Sequence, residues 1–167
     1  MSVLPELQHL AERISAALAL APRDMALEVR GALRDVTAEP NWLPAERRRA
    51  RHDNYARHLL YEDPEGRFSI LALVWERGQK SPIHGHYCWC GVGVYQGELT
   101  ETYYRESLEG LPMRIGSARR GAGTLSFDGP ASGIHRIANE GDVLAISLHV
   151  YGIAGSRIAN GVNRVLA

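Results

Sequence analysis

Apolar and polar positions alternate with a helical period in the first part of the chain. Over residues 4–21, apolar side chains recur every three or four positions, the spacing that places them on one face of an α-helix. Pro22 ends this pattern, and we expect two shorter helices to follow, at about residues 24–33 and 44–51. The sequence therefore predicts a short helical N-terminal segment over about residues 1–52.

After Tyr55 the pattern changes to short apolar runs rich in Val, Ile, Tyr and Leu. Gly, Pro, Asn and Asp separate these runs at intervals of about ten residues, a rhythm typical of an all-β sandwich or barrel. A chain of 167 residues suits one hydrophobic core, and no repeat or linker divides it. We expect a single domain over residues 1–167, with a β-barrel over about residues 53–167. The clearest predicted strands are residues 68–75, 91–95, 99–104 and 143–151.

The charge balance of the chain limits the kinds of partner that the sequence predicts. The 19 Lys and Arg residues balance the 19 Asp and Glu residues, so no overall field attracts nucleic acid or an anionic membrane. A small molecule is the expected partner. Glu6, Glu12 and Arg13 interrupt the first apolar positions, which argues against a signal peptide or a membrane span and predicts a cytoplasmic protein. One basic cluster is interpreted as the solvated face of a helix: Arg47, Arg48, Arg49 and Arg51.

Histidines supply the candidate chemistry. His84 and His86 follow a turn that contains Pro82, and residues i and i+2 of a strand project from the same face. His135 lies on another predicted strand and follows a second turn, which contains Pro130 and Gly133. The three imidazoles can meet across a barrel and hold one metal ion. Imidazole suits Zn, Cu, Fe and Ni, so the ligand type alone does not select the metal.

These turns and histidines resemble the two sequence motifs of cupins. The spacing of Gly78, His84, His86 and Gly97 matches the first motif, and residues 130–139 are similar to the second. The resemblance implies a mainly β fold, the cupin double-stranded β-helix or jelly-roll barrel. Many cupins also have a metal-binding glutamate seven residues before the closing glycine. Cys90 occupies that position here, which leaves three neutral histidines.

Four stretches of the chain resemble the cysteine dioxygenase family of cupins. They are residues 55–57, 81–86, 133–139 and 147–151. Residues 87–89 and 150–152 resemble the bacterial branch of this family. The resemblance implies an Fe(II) enzyme that oxidises a small thiol to its sulfinic acid with O2. It also implies that Arg57, beside Tyr55, binds the substrate carboxylate. The implied metal ligands are His84, His86 and His135, and the implied catalytic relay is Ser147, His149 and Tyr151.

Two details of this resemblance leave alternatives open. Animal members link a cysteine at the motif glutamate position to the relay tyrosine by a thioether; Cys90 and Tyr151 would be that pair, although counting forward from the histidines gives Gly91 instead. Some bacterial members oxidise 3-mercaptopropionate or mercaptosuccinate rather than L-cysteine. Arg57 favours L-cysteine as the first choice of substrate. The rival interpretations are a non-catalytic metal-binding cupin sensor, in which the relay would have no purpose, and a zinc isomerase-type cupin.

Overall fold

Two helices precede the barrel in the computed structural model, which describes residues 4–131 and 133–166. Helix α1 spans Pro5–Ala17 and helix α2 spans Pro22–Ala38, each with proline in its first turn. Proline suits this position because the first N–H groups of a helix have no partner within the helix. Pro22 therefore does more than end the first helical pattern: it begins α2, which extends five residues beyond the predicted residue 33. Helix α1, in turn, ends four residues before the predicted residue 21.

The predicted third helix was wrong in length. Only a short 3-10 helix forms, at Ala45–Arg48, and the backbone is extended again at Arg49. The reason is that this segment has no apolar stripe to pack against the barrel, so tertiary contacts cannot stabilise a longer helix. Arg51 forms an exposed ion pair with Asp53, in keeping with a solvated basic cluster.

Ten strands, a short 3-10 helix at Gly155–Arg157 and one further α-helix complete the described chain. The elements are β1 Ala56–Glu62, β2 Ser69–Trp75, β3 Ile83–His86, β4 Cys90–Gln96, β5 Glu98–Glu106, β6 Pro112–Gly121, β7 Leu125–Asp128, β8 Ile134–Ala138, β9 Ala145–Tyr151, α3 Ile158–Gly161 and β10 Asn163–Leu166.

The strands form two five-stranded antiparallel sheets, in the orders β1-β2-β9-β4-β7 and β10-β3-β8-β5-β6. This architecture confirms the predicted mainly β barrel with a helical N-terminal segment. None of the described helices is long and apolar enough to cross a membrane.

Strands β2 and β9 are buried on both faces, and this divides the apolar side chains into two clusters. On one face, residues such as Ile70, Val74 and Leu148 pack with apolar residues of α1 and α2. On the other face, Leu73 and Trp75 belong to a cluster inside the barrel. The helices therefore cover the outer face of the first sheet, and the opposite face of the same strands lines the barrel interior.

Gly97 makes the turn between β4 and β5. Its φ of 73° lies in the left-handed region, and a Cβ atom there would lie 2.8 Å from the carbonyl oxygen of Leu144. Only glycine satisfies both restrictions. The closing glycine of the first cupin motif is thus required by the backbone, and it fixes where β4 ends and β5 begins.

Candidate metal centre and substrate cavity

Three buried histidines converge inside the barrel. His84 and His86 lie on β3, and His135 on β8 is the cross-strand partner of His84. The ring centroids are 4.7 Å apart for His84 and His135, 5.0 Å for His86 and His135, and 5.1 Å for His84 and His86. One nitrogen of each ring lies within 4.8 Å of the other two. The structure thus brings together the three residues that the sequence suggested as metal ligands.

Hydrogen bonds assign the nitrogen that two of the rings, His84 and His135, can offer to a metal. The Nδ1 atom of His84 contacts the carbonyl oxygen of Pro82 at 2.9 Å, so it donates. The Nδ1 atom of His135 donates to the Glu101 carboxylate at 2.7 Å, while its Nε2 atom is buried without any partner among the described residues. A buried nitrogen with no partner is costly and rare. A metal ion among the three rings would satisfy it, so these residues fit a metal.

Electrostatics keep two of these rings neutral. Burial, reinforced by the neighbouring His135, lowers the pKa of His84 to about 4 and that of His86 to about 3. A neutral imidazole has a lone pair available for a metal, whereas a protonated one does not. The site is therefore ready to bind a cation at neutral pH.

Glu101, which sequence reasoning missed, supports His135 from β5. Its carboxylate also accepts hydrogen bonds from the Tyr103 hydroxyl at 2.8 Å and from Arg120 at 2.9 Å. Burial opposes its negative charge, but the hydrogen bonds from His135 and Tyr103 outweigh that effect and lower the pKa of Glu101 to about 2. Glu101 and Asp128 can also be grouped with His135 as metal ligands. Because Glu101 already accepts from three donors, we interpret it as the group that orients His135.

Substitution of Glu101 tests this interpretation. We expect Glu101→Gln to weaken metal affinity by roughly 10- to 100-fold, as is usual for groups that orient a metal-binding histidine. The matched control is Glu98→Gln on the same strand, because Glu98 also accepts from an arginine, Arg119 at 2.6 Å, but far from the histidines. Competition with a chelator under anaerobic conditions measures the affinities. Equal affinities for the two variants would contradict the orienting role.

A cavity beside the histidines contains the residues suggested for substrate binding. Arg57 donates a hydrogen bond to the Tyr55 hydroxyl, and its guanidinium lies 5.0 Å from the centroid of the Tyr55 ring. Tyr55 in turn stacks on Trp75, with the ring centroids 4.2 Å apart. Arg57, Tyr55 and the three histidines all line this cavity. The guanidinium is therefore held by its neighbours at the wall of the cavity that contains the metal centre.

A chain of hydrogen bonds lies along one wall of the same cavity. The Trp75 indole N–H donates to the Ser147 hydroxyl at 3.0 Å, Ser147 is 2.9 Å from Nε2 of His149, and Nδ1 of His149 is 3.1 Å from the Tyr151 hydroxyl. Ser147, His149 and Tyr151 alternate along β9 and therefore face the same side. Burial, reinforced by the other histidines, lowers the pKa of His149 to about 3, and burial raises the pKa of Tyr151 well above its usual value.

The strand register places Cys90 against Tyr151. The two residues are directly opposite each other on β4 and β9, and both belong to the apolar cluster inside the barrel. The next residue, Gly91, faces the other way: a Cβ atom there would lie 2.7 Å from the Val29 side chain of α2. Cys90 is thus the residue of this pair that shares the interior with the relay tyrosine.

Sequence reasoning missed three residues around the site. Trp75 begins the hydrogen-bond chain, Glu101 orients His135, and Asn163 on β10 lines the cavity. Strand alternation could have indicated the position of Trp75, because it lies on the same face of β2 as the interior residues Leu71 and Leu73. Trp89 stacks on Phe127, and both pack against the apolar cluster that contains the helices.

The fold and the site define a cupin, a double-stranded β-helix barrel with histidines inside. In keeping with this class, the fold is similar to the protein TT1209 from Thermus thermophilus, with a TM-score of 0.52 and 20% identity over 66% of this chain and 94% of that one. A Cupin 2 conserved barrel domain protein from Salinispora arenicola gives a TM-score of 0.50 and 19% identity, covering 70% of this chain and 90% of that one. At these identities the likeness concerns the fold.

Sequence comparison is more specific. The family model for cysteine dioxygenase type I matches residues 37–159, and the chain belongs to this family. Cysteine dioxygenase type 1 of Danio rerio is 30% identical over 104 residues, which are 58% of this chain and 50% of the relative. The protein of the same name from Rattus norvegicus is 29% identical over 103 residues, with the same coverage. The chain thus spans about half the length of the curated relatives it matches.

Proposed function

We propose that this protein is a non-haem Fe(II) thiol dioxygenase that oxidises a small carboxylate-bearing thiol, in the first place L-cysteine, to its sulfinic acid. The reaction adds both atoms of O2 to the sulfur, R–SH + O2 giving R–SO2H, so that no other reductant or oxidant is needed. One observation carries the proposal: the three histidines, Arg57, His149 and Tyr151 line a single cavity, and Ser147 contacts His149 from behind it. Membership of the cysteine dioxygenase family supports it.

His84, His86 and His135 would hold the iron through ring nitrogens. Bound Fe(II) supplies open coordination positions at which a thiolate and dioxygen can be brought together. Three neutral ligands leave the net positive charge of the ion uncompensated, which favours binding of an anionic sulfur. The protein's part is to keep His84 and His86 neutral through burial, and to orient His84 and His135 through the hydrogen bonds to Pro82 and Glu101.

Arg57 would bind the substrate carboxylate. A guanidinium presents a planar fork of donors that matches a carboxylate and holds it in one orientation. The Tyr55 hydroxyl and ring fix the guanidinium on one side, which lowers the entropy that must be lost on binding. Binding the carboxylate at this wall directs the other end of a small thiol towards the three histidines.

The relay would present a proton to the reacting sulfur and oxygen. Trp75 can only donate to Ser147, so Ser147 donates in turn to Nε2 of His149. Neutral His149 then carries its proton on Nδ1 and donates a hydrogen bond to the Tyr151 oxygen. The Tyr151 hydroxyl, which accepts from His149, then has its own O–H to donate, and its raised pKa keeps that proton in place at neutral pH.

The proposed activity can be tested directly. Protein loaded anaerobically with Fe(II) is mixed with ¹⁸O2 and, in parallel, with L-cysteine, 3-mercaptopropionate and mercaptosuccinate. We expect oxygen uptake and a sulfinic acid that contains two ¹⁸O atoms, with the fastest turnover for L-cysteine. Faster turnover of another thiol would make that thiol the substrate. No uptake with any thiol, despite bound iron, would favour the non-catalytic metal-binding cupin sensor.

The thioether between Cys90 and Tyr151 stays a separate prediction. Their opposed positions on β4 and β9 bring the thiol next to the phenol ring. Joining them removes one hydrogen from sulfur and one from the ring, and dioxygen would accept the two electrons and two protons. After aerobic turnover we expect a fraction of the protein to be lighter by two hydrogen atoms in intact-mass spectra. Cys90→Ala should keep its full mass, and an unshifted spectrum for the unmodified sequence would refute the crosslink.

A further inference from the structure

Two buried side-chain atoms in the lining of the substrate cavity have no hydrogen-bond partner, counted over residues 4–131 and 133–166. One is Nε2 of His135 and the other is the amide oxygen, Oδ1, of Asn163. A metal ion accounts for the nitrogen. The oxygen needs a different explanation, because a buried carbonyl-type acceptor loses its hydrogen bond to water and has no hydrogen bond within the protein to replace it.

Asn163 lies next to the metal centre. It is the first residue of β10 and the cross-strand partner of His86 on β3. Directly paired residues of antiparallel strands project from the same face, with their Cβ atoms about 5 Å apart. The Asn163 side chain is therefore on the same face as the His86 ring, and both line the cavity.

The other polar groups of the cavity are already engaged. The Ser81 hydroxyl donates to the carbonyl of Pro82 and accepts from the N–H of Ile137. Both ring nitrogens of His149 belong to the relay, and Arg57 offers donors only. Among the described lining residues, the Asn163 oxygen is thus the buried acceptor that is left for a donor on the substrate.

We propose that Asn163 is a specificity-determining residue, whose Oδ1 atom accepts a hydrogen bond from an amino group carried by the substrate thiol. This inference rests on the proposed thiol dioxygenase function and makes its substrate class narrower. An amino group satisfies the acceptor whether it is charged or neutral, since both forms have N–H donors. 3-Mercaptopropionate has no such donor, and mercaptosuccinate would place a second carboxylate, itself an acceptor, near the amide oxygen.

Three thiols separate the role of Asn163 from that of Arg57. L-Cysteine has both a carboxylate and an amino group, 3-mercaptopropionate has only the carboxylate, and 2-aminoethanethiol has only the amino group. We expect Asn163→Leu to lower kcat/KM for L-cysteine and 2-aminoethanethiol by about 10- to 100-fold, the usual cost of one lost hydrogen bond to a charged group. For 3-mercaptopropionate the change should stay within about threefold, which is less than a hydrogen bond contributes.

The matched control is Asn160→Leu, the same chemical change at an exposed position of α3, three residues earlier in the chain. It should leave all three values unchanged. Thermal unfolding of each variant checks that it is folded, and Asn163→Ala, which removes the same oxygen without added bulk, replaces the leucine variant if that variant does not fold. An equal loss for all three thiols, or none for L-cysteine, would overturn the role of Asn163.

A binding measurement distinguishes this inference from the proposed function. Calorimetric titration of the anaerobic Fe(II) protein with each thiol reports affinity without turnover. Weaker binding of L-cysteine but not of 3-mercaptopropionate to Asn163→Leu supports the inference, even if the unmodified protein consumes no oxygen. Oxygen consumption by the unmodified protein, together with unchanged L-cysteine affinity and kinetics in the variant, would refute the inference and leave the dioxygenase function intact.

Discussion

The substitution His135→Ala is expected to leave the protein without a stoichiometric iron ion and to lower thiol-dependent oxygen uptake by about 10³-fold or more. Metal-ion catalysis contributes several kcal/mol to a reaction, and each 1.4 kcal/mol is about a factor of ten in rate. Among the described residues, the buried Nε2 atom of His135 has no protein partner, so the substitution deletes a ligand without breaking another contact of that nitrogen.

Iron content, oxygen uptake and thermal unfolding together test this prediction. Fe(II) should raise the unfolding temperature of the unmodified protein, because a ligand that binds only the folded state stabilises it, and should not raise that of His135→Ala. His52→Ala is the matched control: the His52 side chain is 96% exposed and pairs with Glu76, away from the barrel interior. Full iron content and undiminished uptake in His135→Ala would exclude the three-histidine site.

The substitution Arg57→Leu is expected to lower kcat/KM for carboxylate-bearing thiols by roughly 10²-fold, mainly through a higher KM. A substrate carboxylate that enters the cavity without Arg57 loses water and finds no replacement donor, which costs about 1.5–3 kcal/mol for each lost hydrogen bond to a charged group. 2-Aminoethanethiol has no carboxylate, so its kinetics should change by less than about threefold.

Two further variants make the result specific. Arg57→Lys keeps the charge but loses the planar fork, and it should recover only part of the activity. Arg77→Leu is the control, because the Arg77 side chain is 75% exposed and pairs with Asp142 on the surface. If Arg57→Leu turned over every thiol as well as the unmodified protein, the carboxylate-binding role would be refuted. Of the three thiols, only L-cysteine should lose kcat/KM in both Arg57→Leu and Asn163→Leu.

Periodicity predicted the features of this fold that depend on neighbours along the chain. The ten-residue rhythm of apolar runs indicated the barrel, and the spacing of His84 and His86 on one strand placed two imidazoles on one face. The same alternation placed Ser147, His149 and Tyr151 together on β9. These features follow from strand geometry alone, since side chains two apart point the same way. The bacterial branch and the cytoplasmic location stay predictions.

Features that depend on the register between strands could not be predicted in this way. Glu101 reaches His135 because it lies opposite Ile137, two residues from that histidine along β8. Asn163 lies beside His86 because β10 returns to pair with β3 after a helix that the apolar pattern did not indicate. The local sequence pattern of neither segment predicts these long-range pairings. The third predicted helix was wrong for a different reason: its segment has no apolar face that could pack against the barrel.

The order of strands in the two sheets has a consequence for how this protein can change over evolutionary time. The proposed iron ligands and the relay lie on β3, β8 and β9, each of which has a neighbouring strand on both sides. The residues proposed to recognise the substrate, Arg57 and Asn163, lie on β1 and β10, which are edge strands. Substitution at an edge disturbs one neighbouring strand instead of two. The proposed preference for one thiol over another could therefore change through substitutions at the sheet edges, while the residues proposed for the oxidative chemistry lie on inner strands, where each substitution disturbs two neighbouring strands.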